Sequence, residues 1–193
     1  MRRAFALLAA LCLTAQASGP MAAVQTARPS SAPLPRAPYV ATPQDVVDRM
    51  LALAALGPDD VMYDLGTGDG RILITAAQRF GVRGVGIDID PARVAEATAN
   101  ARLAGVSDRV RFETADALTV NVADADVVTM YLLSSINVRL RPLPTGQLRA
   151  GARIVSHNFG MGDWEATTVD TFVDARGATR TLYVWVTDGR TRP

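Results

Sequence analysis

Three aspartates in this sequence stand at or just after the ends of successive apolar runs, and they are the residues best placed to do chemistry. They are Asp64 in YDLGTGDGR, Asp88 in VGIDID and Asp116 in TADA. If the runs are parallel strands, their carboxyl ends meet at one edge of the sheet, where ligands bind in such folds. One such acid is most often a solvated loop residue, but three predict a shared site. In it, Asp88 would accept both ribose hydroxyls of a nucleoside, and Asp116 would lie within reach of an adenine amino group.

Three glycines at alternate positions follow the first acid: Gly66, Gly68 and Gly70. Glycine inside an element costs stability, so the cluster indicates either a ligand against the backbone or a tight turn without one. Amides near the start of the next helix would offer donors to such a ligand. The dinucleotide fingerprint Gly-x-Gly-x-x-Gly places its third glycine one position later, where Arg71 stands. Because Asp64 and Asp69 would repel phosphates, the loop favours an ammonium or a sulfonium ligand.

Strand and helix patterns alternate from Tyr39 onward and would position these residues. Thr42 and Pro43 predict the start of a first helix, with Thr42 as its N-cap. Apolar runs predict strands in DVMYDLG, RGVGIDID, RVRFETAD, DADVVTMYLL and ARIVSHNF. GRILITAAQRF and PARVAEATANARLAG predict helices that end at glycines, and SINVRLRPLPTGQLRAG begins as a helix that Pro142, Pro144 and Gly146 must interrupt.

The last part of the chain has a different pattern. TTVDTFVD and TRTLYVWVT are rich in β-formers and are joined by ARGA, which predicts a hairpin. Near-continuous apolar strands that alternate with helices indicate a parallel sheet covered on both faces. The sequence therefore predicts an α/β fold: a Rossmann-like, doubly wound, mostly parallel seven-stranded sheet with an antiparallel C-terminal hairpin and helices on both faces.

The first 38 residues predict export. MRRAFALLAALCLTAQASG has the positive start, the short apolar run and the Ala15-Gln16-Ala17 cleavage pattern of a secretory signal peptide, residues 1–17. Residues 18–38, rich in Pro, Ala and Ser, predict a linker, which leaves 39–193 as the folded domain. We expect an exported bacterial protein, periplasmic or membrane-associated. The alternatives are an uncleaved anchor or a misassigned start codon, and for the location a cytoplasmic protein.

The composition of the chain limits the kinds of partner that the protein can bind. A chain of 193 residues that is 49% hydrophobic and 20% charged suits one ordinary globular domain. The formal net charge is +1 and there are no long charge runs, which argues against a nucleic-acid partner. Cleavage after Ala17 would remove Cys12, the only cysteine, and there is one histidine, so we expect no metal site. We expect a monomer.

The quoted motifs resemble a known family. DLGTGDGR, VGIDID and TADA look like the first three motifs of class I S-adenosylmethionine-dependent methyltransferases, and the resemblance covers residues 39–187. Within that class, YVATPQDVVDRML ahead of DLGTGDGRI is similar to the small lysine methyltransferases typified by the enzyme that acts on the mitochondrial ATP synthase c-subunit. The resemblance implies S-adenosylmethionine as cofactor and a protein lysine as methyl acceptor.

The resemblance also implies which residues hold the cofactor. The glycine loop would hold its methionine part, Asp88 its ribose, and Asp116 with Ala117 its adenine, while Tyr39 and Thr42 would close over it. The full set of implied contacts is Tyr39, Thr42, Asp64, Gly66, Thr67, Gly68, Gly70, Asp88, Ile89, Asp116, Ala117 and Tyr131.

The sequence leaves open which side chains take part in catalysis. Methyl transfer needs an aligned nucleophile rather than a metal or a covalent intermediate. Tyr131 either lines the methyl-transfer channel or is a core tyrosine. His157 either orients or deprotonates the nucleophile or is structural, and the structural interpretation is favoured. Residues 130–135, MYLLSS, lack the Asn/Asp-Pro-Pro-Tyr of enzymes that methylate adenine or glutamine, and Trp164 either forms part of the acceptor pocket or only packs.

Three other functions stay open: a small-molecule methyltransferase, a non-catalytic nucleoside-binding module and a nicotinamide-dependent oxidoreductase. The displaced third glycine argues against the last of these. As a strand-end acid outside the core, Asp88 is expected to hold the cofactor and to matter little for the fold.

Overall fold

The structure is a computed structural model that describes residues 39–193, so the predicted signal peptide (1–17) and linker (18–38) lie outside the described residues. Within this range one sheet contains β1 Val61–Leu65, β2 Arg83–Asp88, β3 Val110–Thr114, β4 Val127–Met130, β5 Arg153–His157, β6 Thr168–Val173 and β7 Thr179–Val186. The helices are α1 Gln44–Ala54, α2 Arg71–Phe80, α3 Pro91–Leu103, α4 Ser134–Leu140 and α5 Pro142–Gln147.

The order of the strands confirms the predicted fold class. It is β3-β2-β1-β4-β5-β7-β6. Strands β1 to β5 run parallel, while β7 is antiparallel to both β5 and β6. Strands β2 and β3 lie on one side of β1, and β4 and the later strands lie on its other side. The direction in which the sheet grows therefore reverses between β1 and β4. In such sheets, the crevice at this reversal, at the carboxyl ends of β1 and β4, is where ligands bind.

Each face of the sheet has its own apolar core. On one face α1, α2 and α3 cover the strands, with Leu51 and Leu73 fully buried there. On the other face α4 contributes buried side chains, but residues 115–126, between β3 and β4, form no helix. Leu118 and Val122 of that segment pack against the sheet instead. Helices cover both faces of the sheet as predicted, but on the second face the loop 115–126 provides part of the cover.

The start of α1 differs from the prediction. Pro43 is the N-cap, with extended backbone, and no side chain caps the helix. Thr42 is buried, and its Oγ1 lies 3.4 Å from Nδ1 of His157 on β5. The prediction of Thr42 as the N-cap was wrong because its hydroxyl faces a residue of the sheet rather than the first turn of its own helix.

The two prolines interrupt the fourth helical region less than predicted. α4 ends at Leu140, and α5 begins at Pro142 and contains Pro144. Proline is tolerated there because the first N–H groups of a helix have no intrahelical partner to lose. α2 and α3 end next to Gly81 and Gly105 as expected. None of the helices between residues 39 and 193 combines the length and the apolar character needed to cross a membrane.

Candidate active site

A cleft of about 230 Å³ lies at the carboxyl ends of β1 to β4, where the strand order reverses. It is lined by the turn between β1 and α2, by the residues that follow β2, β3 and β4, and by the N-terminal segment 39–42. Every residue predicted to contact a cofactor lines this cleft, except Asp64 and Gly70. The structure thus brings most of the predicted residues together, and their contact with a cofactor stays a prediction.

Gly66 and Gly68 have backbone conformations that explain the lack of side chains in the turn. Both lie in the left-handed region, with φ of +78° and +57°. A Cβ on Gly66 would lie 2.6 Å from Cδ2 of Leu132, and a Cβ on Gly68 would lie 2.5 Å from Cε2 of Tyr39. A side chain at either position would be strained and would take up space on the surface of the cleft.

The amides of this turn are already bonded within the protein. Those of Gly66 and Thr67 donate to the carbonyl of Ile87 at 2.8 and 2.9 Å. The amide of Gly68 donates to Oδ2 of Asp88 at 2.9 Å. These three amides are therefore not available to a ligand, because β2 accepts them, and donation from amides nearer the start of α2 stays a prediction. A pyrophosphate would find no free amide on these three residues, which argues against the nicotinamide alternative.

Gly70 lies behind the lining of the cleft, as the residue that precedes α2. A Cβ there would lie 2.8 Å from Cζ of Phe112, so the missing side chain lets α2 pack closely against β3. This is a packing role, and it differs from the predicted contact with the methionine part of a cofactor.

Asp64 also lies behind the lining, in β1, with an exposed fraction of 1%. Its Oδ2 accepts a hydrogen bond from Thr67 Oγ1 at 2.8 Å, and its Oδ1 accepts one from Thr129 Oγ1 at 2.7 Å. Burial raises the pKa of this carboxyl to about 6, against the lowering effect of the two hydroxyls, and the charges of Asp88 and Asp69 add to the rise. Thr67 lines the cleft and donates its hydroxyl to Asp64, so a single side chain connects the buried carboxylate to the cleft.

Asp88 links the turn to the end of β2. Its Oδ2 accepts the amide of Gly68 and its Oδ1 accepts the amide of Asp90 at 3.0 Å. The expectation that Asp88 matters little for the fold is therefore wrong, because two backbone amides depend on it. Each carboxylate oxygen has a second lone pair, so Asp88 can still accept hydroxyl groups from the cleft, which it lines.

Asp116, Ala117 and Ile89 line the cleft from neighbouring strand ends, since they follow β3 and β2, which pair up to Thr114 and Asp88. Oδ1 of Asp116 accepts the amide of Leu118 at 2.9 Å, which fixes the turn after β3. Ile89 is 51% exposed, although it is a large apolar residue. An apolar surface beside a carboxylate suits a flat heteroaromatic ring with an amino group, in keeping with the predicted adenine position.

The segment that leads into α1 crosses the glycine turn. The ring of Tyr39 lies against Gly68, and the guanidinium of Arg93 stacks 4.5 Å from the centre of that ring. Arg71 pairs with Asp69 and also donates from Nη1 to the carbonyl of Thr42 at 2.9 Å. The sequence did not single out Arg93, and it noted Arg71 only as the residue in place of a glycine.

Tyr131 and His157 lie side by side, but only Tyr131 reaches the cleft. Their rings stack with centres 3.9 Å apart, and Phe159 stacks on Tyr131 at 6.1 Å. His157 is fully buried, and its Nε2 has no hydrogen-bond partner among residues 39–193. Burial, and next the charge of Arg180, lower its pKa to about 4. His157 is thus a neutral ring behind Tyr131, and this supports the structural interpretation.

Trp164 packs and does not line the cleft. Its ring contacts Trp185 with centres 5.7 Å apart, and its carbonyl accepts a hydrogen bond from Nε1 of Trp185 at 3.0 Å. The guanidinium of Arg192 lies over the ring of Trp164, 4.5 Å from its centre. The alternative in which Trp164 forms part of the acceptor pocket is therefore not supported.

Other lining residues, among them Leu132 and Ile136, and the buried Thr129 were also missed. A single hydroxyl inside the apolar run VVTM was the only sequence signal for Thr129. Within the described range 39–193, no three His, Cys, Asp or Glu residues are grouped so that they could hold a metal ion.

Comparison with known proteins gives consistent matches. A family model for the ANTKMT methyltransferase domain matches residues 64–168. A protein-lysine N-methyltransferase of Saccharolobus islandicus is 42% identical over 154 residues, which are 79% of this chain and 95% of that protein. The adenine nucleotide translocase lysine N-methyltransferase of Mus musculus is 34% identical over 133 residues, 68% of this chain and 57% of that protein. A crystal structure of an RNA methyltransferase from Salinibacter ruber with S-adenosylhomocysteine is 49% identical, with a TM-score of 0.71, over 77% of this chain and 95% of the other.

Proposed function

Because this chain belongs to the ANTKMT methyltransferase domain family, it is an S-adenosylmethionine-dependent methyltransferase, and we propose that its methyl acceptor is a lysine side chain of another protein. The earlier resemblance to class I enzymes is confirmed by this match. Two similar proteins carry the name of lysine methyltransferases, one archaeal and one from mouse, and they support the proposed acceptor.

The cleft fits S-adenosylmethionine by its chemistry. The glycine turn leaves room at the backbone that a Cβ would fill, and the amides of Gly66, Thr67 and Gly68 are not free for phosphate. Asp88 lines the cleft with acceptor capacity for ribose hydroxyls, and Asp116 lines it together with apolar Ile89 and Ala117. When bound, S-adenosylmethionine supplies a methyl group on a positively charged sulfur, a carbon that a nucleophile can attack directly.

The observation that carries the proposed acceptor is the charge of the lining. Four carboxylates face the cleft: Asp69, Asp88, Asp90 and Asp116. Its two guanidiniums are already paired, Arg71 with Asp69 and Arg93 with Glu96. An excess of carboxylates favours a cationic acceptor such as a lysine ammonium and repels a phosphate backbone. RNA is the second candidate acceptor, favoured by the similar structure from Salinibacter ruber.

The residues near Tyr131 suggest how a lysine would be activated. Tyr131, Leu132 and Ile136 line this part of the cleft, and Thr42 beside them is buried. These side chains exclude water from an entering ammonium, and loss of water lowers its pKa. His157 lies behind Tyr131, and because burial lowers its pKa to about 4 it is too weak a base to hold the proton, so we propose that the proton leaves to solvent. The chain's contribution is then alignment and desolvation.

The test is transfer of a labelled methyl group from S-adenosylmethionine to a cell lysate. We expect protease-sensitive label that is recovered as methylated lysine after acid hydrolysis, and excess S-adenosylhomocysteine as a control should suppress it. This chain contains no lysine, so methylated lysine in the hydrolysate cannot come from the enzyme itself. Label that ribonuclease releases would identify RNA as the acceptor, and label in the small-molecule fraction would identify a metabolite. If the protein binds S-adenosylmethionine yet transfers nothing, it is a binding module.

A further inference from the structure

Strand β6 forms one edge of the sheet, and alternate residues of its backbone face away from the sheet. Within residues 39–193, β6 is the last strand in the order and pairs with β7 alone. In an antiparallel pair, the backbone groups of successive residues point alternately toward the partner strand and away from it. The amide of Asp174 donates to the carbonyl of Ala178, so residue 174 and every second residue before it point toward β7. Val169, Thr171 and Val173 therefore direct their N–H and C=O groups outward.

A hydrogen bond on the other side of β7 gives the same alternation. Thr171 lies opposite Thr181 in the register of β6 with β7. The carbonyl of Thr181 accepts the amide of Asn158 at 2.7 Å, from the side of β5. Because the backbone of Thr181 points toward β5, it does not bond to the backbone of Thr171. The amide and carbonyl of Thr171 are thus left on the open edge.

The side chains of these three outward residues are exposed and uncharged. Val169 and Val173 are 56% and 66% exposed, and Thr171 between them is exposed as well. The charged residue of β6, Asp170, lies on the other face of the strand, where both carboxylate oxygens accept hydrogen bonds from Arg49. Edge strands are commonly protected from pairing by lysine, proline or a bulge, and β6 has none of these. Its edge is open to pairing with another strand.

The direction of β6 connects this edge to the cleft. β6 is antiparallel to β7, which is antiparallel to β5, so β6 runs parallel to β4 and β5. Val173, at its end, therefore lies at the same edge of the sheet as the cleft. Three strand spacings separate β6 from β4, which is about 14 Å. About four to six extended residues span that distance.

We infer that β6 docks the acceptor protein: an extended, uncharged segment pairs with the outward backbone of residues 169–173 and delivers a neighbouring lysine to the cleft. The inference rests on the proposed function, because it takes the acceptor to be a protein. Antiparallel pairing is the more stable arrangement, and in it the lysine precedes the paired segment by about four to six residues. Alternate side chains of that segment lie beside Val169 and Val173, which favours β-branched or other apolar residues there.

A second copy of this chain is a less suitable occupant of the edge. A strand of 6 residues is about 20 Å long. Pairing along it alone buries less than the roughly 800 Å² per partner of a stable interface. An enzyme and its acceptor need only a transient contact, for which a small interface is enough. The chain also contains no lysine, so a second copy is not a lysine acceptor.

The first test is labelled methyl transfer from S-adenosylmethionine to a limiting amount of cell lysate, with variants of the full chain. Thr171→Pro removes an N–H that points outward and places a ring on the open edge, while the bonds to β7 remain. We expect it to lower the initial rate of lysine labelling about tenfold or more and to bind S-adenosylhomocysteine as the parent does. Thr171→Val is the matched control. Both variants lose the hydroxyl contact with Thr181, but Thr171→Val keeps the N–H and should label at the parent rate.

A second pair of variants leaves the backbone of the edge intact. Val169→Arg puts a charge on the open edge, as natural edge strands do. Val186→Arg is its matched control, because Val186 is 45% exposed but lies in β7, which is not an edge strand. We expect Val169→Arg to lower the labelling rate about tenfold and Val186→Arg to leave it unchanged. Circular dichroism and thermal melting check that all four variants fold.

Amide hydrogen exchange locates the contact. The probe is a synthetic peptide that contains the lysine labelled in the lysate and the residues that follow it, added to the full chain saturated with S-adenosylhomocysteine. We expect slower exchange at Val169, Thr171 and Val173. Asp170 and Phe172 are the internal control, because their amides already bond to β7 and should exchange at the same rate with and without the peptide.

The outcomes separate this inference from the proposed function. Lysine labelling at the parent rate by Thr171→Pro and Val169→Arg would overturn docking at β6 and leave the proposed function intact. Unchanged exchange of the three outward amides would do the same. Label in RNA or in small molecules alone would overturn both the proposed function and the docking. A dimer in analytical ultracentrifugation that Val169→Arg dissociates would assign the edge to a second copy and overturn the inference.

Discussion

Asp88 serves both the fold and the ligand. Its carboxylate accepts the amides of Gly68 and Asp90 and faces the cleft at the same time. In the predicted ribose site, it would make charge-assisted hydrogen bonds worth roughly 1.5–3 kcal/mol each. The residue therefore couples the shape of the glycine turn to binding, and a single substitution should reveal both contributions.

We predict that Asp88→Ala raises the dissociation constant for S-adenosylmethionine on the order of 100-fold or more. We also predict that it lowers the free energy of unfolding by about 1–3 kcal/mol, because the two amides lose their acceptor. Calorimetric titration and chemical denaturation measure the two effects. Asp116→Ala is the comparison and should weaken binding less, because an adenine amino group can bond to water or a carbonyl instead. Unchanged binding by Asp88→Ala would contradict the ribose assignment.

His157 supports the ring of Tyr131 and takes no proton during methyl transfer, according to its burial and its low pKa. We predict that His157→Phe keeps kcat within about threefold and keeps the pH profile of kcat between pH 6 and pH 9, since another ring can stack on Tyr131. His157→Ala leaves a cavity and should destabilise the fold. A general base would instead lose at least about 100-fold in kcat in both variants. That loss in His157→Phe, with the fold intact, would refute the supporting role.

At the scale of elements, we predict that the segment 39–42 is a flap over the glycine turn. It lines the cleft, and Tyr39 and Val40 are 49% and 57% exposed. Arg71 holds its end through the carbonyl of Thr42, while Arg93 stacks on Tyr39. These contacts place the flap where a bound ligand would cover its apolar side chains.

We predict that S-adenosylhomocysteine slows amide hydrogen exchange at Val40, Ala41 and Thr42. The physical reason is that the ligand covers the exposed side chain of Val40 and the lining of residues 41–42, and so holds the segment closed over the turn. The hairpin turn 174–178 is the internal control, because it does not line the cleft. Equal exchange of residues 40–42 with and without the ligand would show that the segment is not a flap.

At the scale of the whole molecule, two buried titratable groups affect stability in opposite directions. The pKa of His157 is lowered from 6.5 to about 4, so its contribution to stability is lost as the pH falls through that window. The pKa of Asp64 is raised from 3.8 to about 6, so the folded state holds its proton more tightly, and stability falls as the pH rises through that window.

We predict that ligand-free Asp64→Asn is more stable than the parent above pH 6, by up to about 3 kcal/mol, because it buries no unpaired charge. The difference should vanish below about pH 4, where Asp64 is protonated in both the folded and the unfolded parent. Chemical denaturation of both full chains across this pH range measures it, with Asp116→Asn as a control that lacks the effect. Equal stability of parent and variant near pH 8 would contradict the prediction.

We propose that the full chain is exported and that its first 17 residues are removed. The predicted cleavage pattern Ala15-Gln16-Ala17 and the apolar run before it support this proposal. Mass spectrometry of the native protein should find Ser18 as the first residue. An intact Met1 on protein from the cytosol would refute export.

The sequence by itself determined the fold class and the position of the cleft. Both follow from local patterns: apolar runs alternate with helical periodicity, and glycines and acids stand where the runs end. The sequence also located most of the lining, because the ends of successive parallel strands meet at one edge whatever the details of packing. Asp88, Asp116 and the glycine turn could be found in this way.

Only the tertiary structure decided how these residues are bonded. The register of β1 with β4 places Asp64 opposite Thr129, 65 positions along the chain, and the end of β2 accepts the amides of the glycine turn. The pairing of Thr42 with His157 joins residues 115 positions apart, which no local pattern encodes. A hydrogen bond depends on the distance and direction between two atoms, and for residues far apart in the chain only the packed fold sets them.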